Sequence, residues 1–110
     1  MAEVARGDIW QFSFPSPNRR RPVLILTRQE VIGHLHSVAV APITTTIRGI
    51  PSEVVIGPEC GLKTVSAINL DNLATVPKRG LRSFVGAASP QVLAAVRAAL
   101  LFALGFDDPD

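Results

Sequence analysis

The chain has 110 residues, 47% of them hydrophobic, with eleven Lys and Arg against nine Asp and Glu. That is enough for one hydrophobic core and too little for two, so a single domain spanning 1–110 is expected. The chain has no run of 18 apolar residues, which argues against a membrane-spanning helix, and Cys60 is the only cysteine, which excludes an intramolecular disulfide.

Other classes fall away on spacing. There is no Cys-x-x-Cys, and Cys60 stands far in sequence from His34 and His36, so no zinc-type ligand set is expected and no metal or cofactor is implied. The first eight residues hold no apolar stretch of the secretory type, and a cytoplasmic protein is expected. Outside Asp107, Asp108 and Asp110 the chain carries eleven cations against six acids. The cations gather at Arg19, Arg20 and Arg21 and at Lys78, Arg79 and Arg82, a distribution compatible with a polyanionic partner.

In chain order, 8–14 alternates, with Trp10, Phe12 and Phe14 on one face, which predicts a half-buried strand. Pro15-Ser16-Pro17-Asn18 breaks it into a loop. Arg19-Arg20-Arg21 then runs straight into the apolar segment 22–27, a strand covered on both faces. Two readings of Arg21 stand: a polar loop residue at a strand mouth, or a fixed guanidinium placed for phosphate beside the rigid Pro22. Segments 38–42 and 52–56 read as further strands, and Gly57-Pro58 and Gly61 mark turns around Glu59 and Cys60. Segments 64–70, 73–77 and 82–86 complete six or seven strands. Ser89-Pro90 is a helix start and Gly105 a stop, so 89–105 is helical and 106–110 forms an acidic tail. Val92, Leu93, Val96, Leu100, Ala103 and Leu104 are its expected apolar stripe. Leu101 and Phe102 lie off that stripe, which points to a second copy covering the helix end, or to the acidic tail wrapping it. The fold class is mainly β: a small, strongly bent antiparallel barrel or sandwich with a C-terminal α-helix.

Gly7-Asp8-Ile9-Trp10, Arg21-Pro22-Val23-Leu24-Ile25-Leu26, Ala41-Pro42-Ile43-Thr44 and Ser66-Ala67-Ile68-Asn69-Leu70-Asp71-Asn72 follow one another, and then Leu73-Ala74-Thr75-Val76. This series resembles the MazF/PemK/Kid toxins of bacterial type II toxin–antitoxin systems, from about Arg6 to the end of the helix. The resemblance implies an SH3-like barrel with a C-terminal helix, assembled as a homodimer. It implies a metal-independent endoribonuclease that cuts single-stranded RNA at short motifs, leaving a 2′,3′-cyclic phosphate and a 5′-hydroxyl. It also implies an antitoxin partner whose extended tail occupies the RNA groove. By the same likeness Arg21 and Thr44 are the catalytic pair, Asp71 is an acidic position that some relatives use, and residues 15–20 form the covering loop. Relatives often read Asp/Glu-Gln-x-Arg-Thr where this chain has Asp71-Asn72-Leu73-Ala74-Thr75, and some carry a base at Asn69. The arginine is absent at Ala74, which moves the burden onto Arg21 and Thr44.

Cleavage through the 2′-hydroxyl requires a base, an acid and cations on the developing phosphorane. The Arg21 fork suits phosphate oxygens, and its permanently high pKa makes it a charge stabiliser before a proton donor. The Thr44 hydroxyl can hold the same phosphate. His34 and His36, at i and i+2, are the rival acid and base, with His36 a groove residue, or else they are solvated loop histidines. Thr45 and Arg48 beside Thr44 are candidate RNA contacts with Arg19 and Arg20, although Thr45 and Thr46 also suit a turn bonding its own backbone. Lys78, Arg79 and Arg82 form either a solvated basic patch or part of the groove. Cys60 reads as a turn thiol. Two further classes stand beside the ribonuclease: a CcdB-like toxin of the same fold inhibiting a protein target, and a catalytically dead antitoxin-binding module.

Overall fold

Seven strands and two helices follow one another in the computed structural model, which describes residues 3–15 and 19–107. They are β1 (Asp8–Phe14), β2 (Arg19–Ile25), α1 (Gln29–Ile32), β3 (Ser37–Thr44), β4 (Glu53–Ile56), β5 (Ser66–Asn69), β6 (Ala74–Pro77), β7 (Leu81–Ala87) and α2 (Pro90–Leu104). Short 3-10 turns occupy Pro58–Cys60 and Lys78–Gly80. The expected mainly-β fold with a C-terminal helix is what forms. All strand pairs are antiparallel, in the order β4-β5-β3-β2-β1-β7, with β6 also on β3. The end strands β4 and β7 do not pair, so the sheet bends without closing its hydrogen-bond ladder.

Period-2 alternation gives the sheet two apolar faces. Ile9, Leu24, Ala41, Ile43, Ile56 and Ile68 line one, capped by Val96 and Ala99 of α2. Trp10, Phe12, Val23, Ile25, Val40, Val76 and Leu81 line the other, where α1 contributes Ile32 and the sheet curls over itself. Register shifts on either side of Trp10, where β1 meets β7, supply the local bend. Each fully buried Ile or Leu contributes roughly 1.5–3 kcal/mol, so the two faces together carry the fold.

Besides end shifts of one or two residues in β3 to β7, three features differ from expectation. β2 begins at Arg19, not Pro22, because its ladder to β1 continues through Phe12↔Arg21, Ser13↔Arg20 and Phe14↔Arg19. Arginine stems tolerate an extended backbone while their heads reach water, so the three cations belong to a strand rather than a loop. α1, a single turn, has no counterpart in the sequence reading, since four residues show no period; the Lys78 Nζ donates to its Ile32 carbonyl at 2.7 Å. On α2, Leu104 is 52% exposed and Ala99 is buried in its place. The buried row Val92, Val96, Ala99, Ala103 keeps helical spacing, and Leu104 falls one step off it.

The expected caps form. Ser89 Oγ accepts from the Val92 N–H at 3.1 Å with Pro90 at the first helical position. Gly105 (φ 79°) ends the helix, and the Phe106 N–H returns to the Leu101 carbonyl at 2.7 Å. The opening Gly-Asp-Ile-Trp segment is structural. The Asp8 carboxylate accepts from the Ala5 N–H at 2.9 Å and the Trp10 indole at 3.2 Å, tying the chain onto β1. Residues 16–18 of the expected covering loop and 108–110 of the expected acidic tail lie outside the described residues.

Candidate functional site

The site grows from the register of three strands. β2 and β3 pair as Val23↔Pro42, Leu24↔Ala41 and Ile25↔Val40. Two residues beyond Val23↔Pro42 lie Arg21 on β2 and Thr44 on β3, each in step with that pair along its own strand. Pro22 and Pro42 both lack an N–H, so donors are missing where this ladder ends. The β2–β3 ladder therefore stops at Val23↔Pro42, while Thr44 keeps its pairing to Ala67 of β5 on the other edge of β3.

β3 has two partners on its other edge. β6 pairs with Ser37–Val40 and β5 with Ile43 and Thr44, both antiparallel. The connection 70–73 therefore bulges out beside Ala41 and Pro42, which delivers Asn72 to the site. Phe14, Arg21, Pro42 and Asn72 together line a pocket of about 300 Å³. It opens at the mouth of the second apolar cluster, as the polar end of the row that Arg21 shares with Val23 and Ile25.

Thr44 is half-buried at the end of β3. Its Oγ1 accepts the Thr46 N–H at 3.1 Å, so Thr44 rather than Thr45 or Thr46 makes the local backbone bond. That bond uses a lone pair and leaves the Thr44 O–H available to donate. Arg21 is half-buried too, and among the described residues the only ion pair is Arg28–Glu30 at 4.0 Å, at an exposed site. No described carboxylate thus competes for the Arg21 fork.

The other expected residues are placed as follows. Arg20 is exposed opposite Ser13, on the face of β2 away from Arg21, and Arg19 begins β2 opposite Phe14. Thr45 and Arg48 are exposed in the segment after β3, where Glu53 Oε1 accepts from the Arg48 and Gly49 N–H groups, both at 3.0 Å. Asp71 is exposed; its carboxylate accepts from Ser52 Oγ at 2.5 Å, and its N–H donates to Asn69 Oδ1 at 2.9 Å. Those bonds fix the bulge that presents Asn72. His34 and His36 are exposed before β3, whose far end carries Thr44. At roughly 3.3 Å per residue, His36 stands about 26 Å along the strand from Thr44, too far to share one phosphate with it.

Phe14, Pro42 and Asn72 are pocket residues that the sequence reading did not assign to the site. Phe14 follows the core alternation, and Pro42 belongs to a strand motif. Asn72 carried the one usable signal, since it departs from the family pattern directly after the acidic position. Among the described residues no group of three or more His, Cys, Asp or Glu side chains is close enough to hold a metal ion, and no helix is long and apolar enough to cross a membrane.

Comparison with known proteins places this geometry among relatives. A family profile described as PemK-like, MazF-like toxin of type II toxin-antitoxin system matches residues 5–104. Endoribonuclease MazF3 of Mycobacterium tuberculosis is 43% identical over 88 residues, 80% of this chain and 82% of that protein. The solved structure of the M. tuberculosis toxin MazF-mt6 superposes with a TM-score of 0.83 at 37% identity, covering 89% of this chain and 96% of that one. A mycobacterial endoribonuclease in complex with its cognate antitoxin gives 0.88 at 29% identity, covering 97% and 100%.

Proposed function

The chain belongs to the PemK-like, MazF-like toxin family of type II toxin–antitoxin systems, and we propose that the Arg21 pocket, with Thr44 at the neighbouring strand end, is the endoribonuclease centre. Relatives named endoribonuclease at 43% identity favour RNA cleavage over a protein target or an inactive binding module. The observation that supports the assignment is the β2–β3 ladder, which stops at Val23↔Pro42 and leaves Arg21 and Thr44 two residues beyond it on adjacent strands, Arg21 lining the pocket there.

The chemistry follows from the groups present. The RNA 2′-oxygen attacks its own 3′-phosphorus, the P–O5′ bond breaks, and a 2′,3′-cyclic phosphate and a 5′-hydroxyl result. Neither a metal nor a water nucleophile enters that sequence. The Arg21 fork binds two non-bridging oxygens and stabilises charge that grows toward the phosphorane. The Thr44 hydroxyl donates to the same phosphate and fixes its rotation, holding the 2′-oxygen in line with the leaving oxygen. Phe14 offers a half-exposed ring for a base, and the Asn72 amide offers a donor and an acceptor to a base edge. Single-stranded RNA suits such a pocket, because its unstacked bases are free to enter.

Two partners complete the reading. An antitoxin segment occupies the RNA pocket, in keeping with the relative solved with its cognate antitoxin. A second copy of the chain covers the end of α2, where Phe102, Leu104 and Phe106 are 47%, 52% and 73% exposed. Site residues, antitoxin and dimer are tested together. The purified protein, free of antitoxin, is incubated with long single-stranded RNA in excess EDTA alongside Arg21→Ala, and its mass is measured by light scattering. Discrete fragments with 5′-hydroxyl ends, absent with the variant, and a dimer mass are expected. Intact RNA across unrelated sequences would overturn the ribonuclease centre, and a monomer mass would overturn the dimer.

A further inference from the structure

A second cavity, of about 380 Å³, is lined by Phe12, Ser13, Pro77, Arg79, Gly80 and Arg82. Arg79 and Arg82 are both exposed, and no described carboxylate lies within 4.0 Å of either. The turn that carries Arg79 is held at two points. Lys78 Nζ is bonded to the Ile32 carbonyl at 2.7 Å, and a Cβ on Gly80 would stand 2.6 Å from the Phe12 ring, so that ring rests on bare backbone. The cations are therefore presented from a fixed frame and not from a mobile loop.

The two cavities adjoin. Phe14 lines the first and Phe12 the second, and the rings meet edge to face with centroids 4.8 Å apart. Phe12 is also the cross-strand neighbour of Arg21 on β2 and of Leu81 on β7, so the strands that carry Arg21 and Arg82 lie two strand spacings apart, roughly 10 Å, the scale of one or two nucleotide steps. A single strand whose scissile phosphate lies on Arg21 would cross the aromatic pair and bring a flanking phosphate between Arg79 and Arg82.

We propose that the Arg79–Arg82 cavity is a second phosphate subsite for the same RNA strand, one or two nucleotides from the scissile bond, and that it sets substrate length and salt dependence, not chemistry. This rests on the ribonuclease reading above. An acidic protein segment is the competing occupant; the Arg21 pocket adjoining on the same sheet favours RNA.

The test compares the full-length protein with Arg79→Ala/Arg82→Ala and Arg79→Lys/Arg82→Lys on an RNA carrying one cleavage site mapped with the wild type, and on the same site trimmed to the dinucleotide of the scissile bond. For the alanine pair the KM on the long RNA should rise roughly tenfold with kcat unchanged. The slope of log binding against log salt should shrink by about 0.7 for one lost phosphate. The dinucleotide should be cleaved as by wild type, and the lysine pair should keep the wild-type slope. An unmoved KM and slope on the long RNA would overturn the subsite, as would an equal loss on the dinucleotide, which marks general attraction. Inhibition of the wild type but not the alanine pair by a polyglutamate peptide, with the RNA slope unmoved, would assign the cavity to an acidic protein and also overturn it. A wild type that cleaves no RNA would instead strike the ribonuclease reading; the slope of RNA binding would then still decide the cavity.

Discussion

Replacing Arg21 separates a catalytic guanidinium from a structural one. Arg21 is half-buried at the end of the β2–β3 ladder, opposite Phe12, with no described carboxylate within ion-pair distance. Arg21→Ala therefore breaks no ion pair and opens no closed cavity; it removes only an aliphatic stem at the core margin, a loss of up to about 1 kcal/mol. In a domain of this size that lowers Tm by roughly 4–8 °C. Under the proposed assignment the transition state loses two charge-assisted bonds to phosphate oxygens, and removal of such donors costs on the order of 10²–10³ in kcat. Arg21→Lys keeps the charge without the fork and should fall between the two. Single-turnover cleavage of a labelled RNA gives the rate, and a thermal melt on the same samples gives the stability. An Arg21→Ala protein that is unfolded at 25 °C, or one that is folded and cleaves at the wild-type rate, would refute the reasoning.

Other perturbations test neighbouring links. Thr44→Val should lower kcat by about 10–100-fold while Thr44→Ser stays near wild type, and the melting temperature should barely move because water replaces Oγ1 at the exposed Thr46 N–H; equal rates for Val and Ser would remove the hydroxyl from the chemistry. A Cβ at Gly86 would collide with the Cys60 carbonyl, and one at Gly61 with that of Val85, so the two backbones pack without side chains between them. Gly86→Ala should then cost on the order of 3 kcal/mol, seen by calorimetry as a Tm drop above roughly 10 °C; an unchanged Tm would show that the turn is free to shift. Burial, with a smaller contribution from Glu59, raises the Cys60 thiol above its ordinary 9.0. Cys60 should thus react slowly with a disulfide reagent at neutral pH in the native protein and quickly in denaturant. The unfolded chain ionises this thiol first, so its contribution is present below pH 9.0 and is lost as pH rises toward the folded value. Wild-type Tm should fall more steeply above pH 9 than that of Cys60→Ala, and parallel slopes would sink this account.

Local chemistry was legible residue by residue. The alternation from Asp8 to Phe14 commits a strand to two faces, and Ser89-Pro90 and Gly105 bound a helix whatever surrounds them, because caps act over three or four residues. Arg21 and Thr44 could be nominated from their motifs, and Asn72 stood out as a departure. What those motifs could not carry was distance. Asp71 is near the site in sequence order, yet its carboxylate is spent on Ser52, nineteen residues away. His36 directly precedes the strand that ends in Thr44, and the length of that eight-residue strand holds the two apart.

The amino-acid sequence by itself determined the strands and the C-terminal helix, though not α1, together with the absence of an intramolecular disulfide and the family, since each rests on neighbours along the chain or on the order of short motifs. Only the tertiary structure decided which strand ends meet. Register depends on the whole set of cross-strand hydrogen bonds and on which face is buried. It was that register, with β5 and β6 sharing one edge of β3, that brought Phe14, Arg21, Pro42 and Asn72 to one pocket and left Thr44 at the neighbouring strand end.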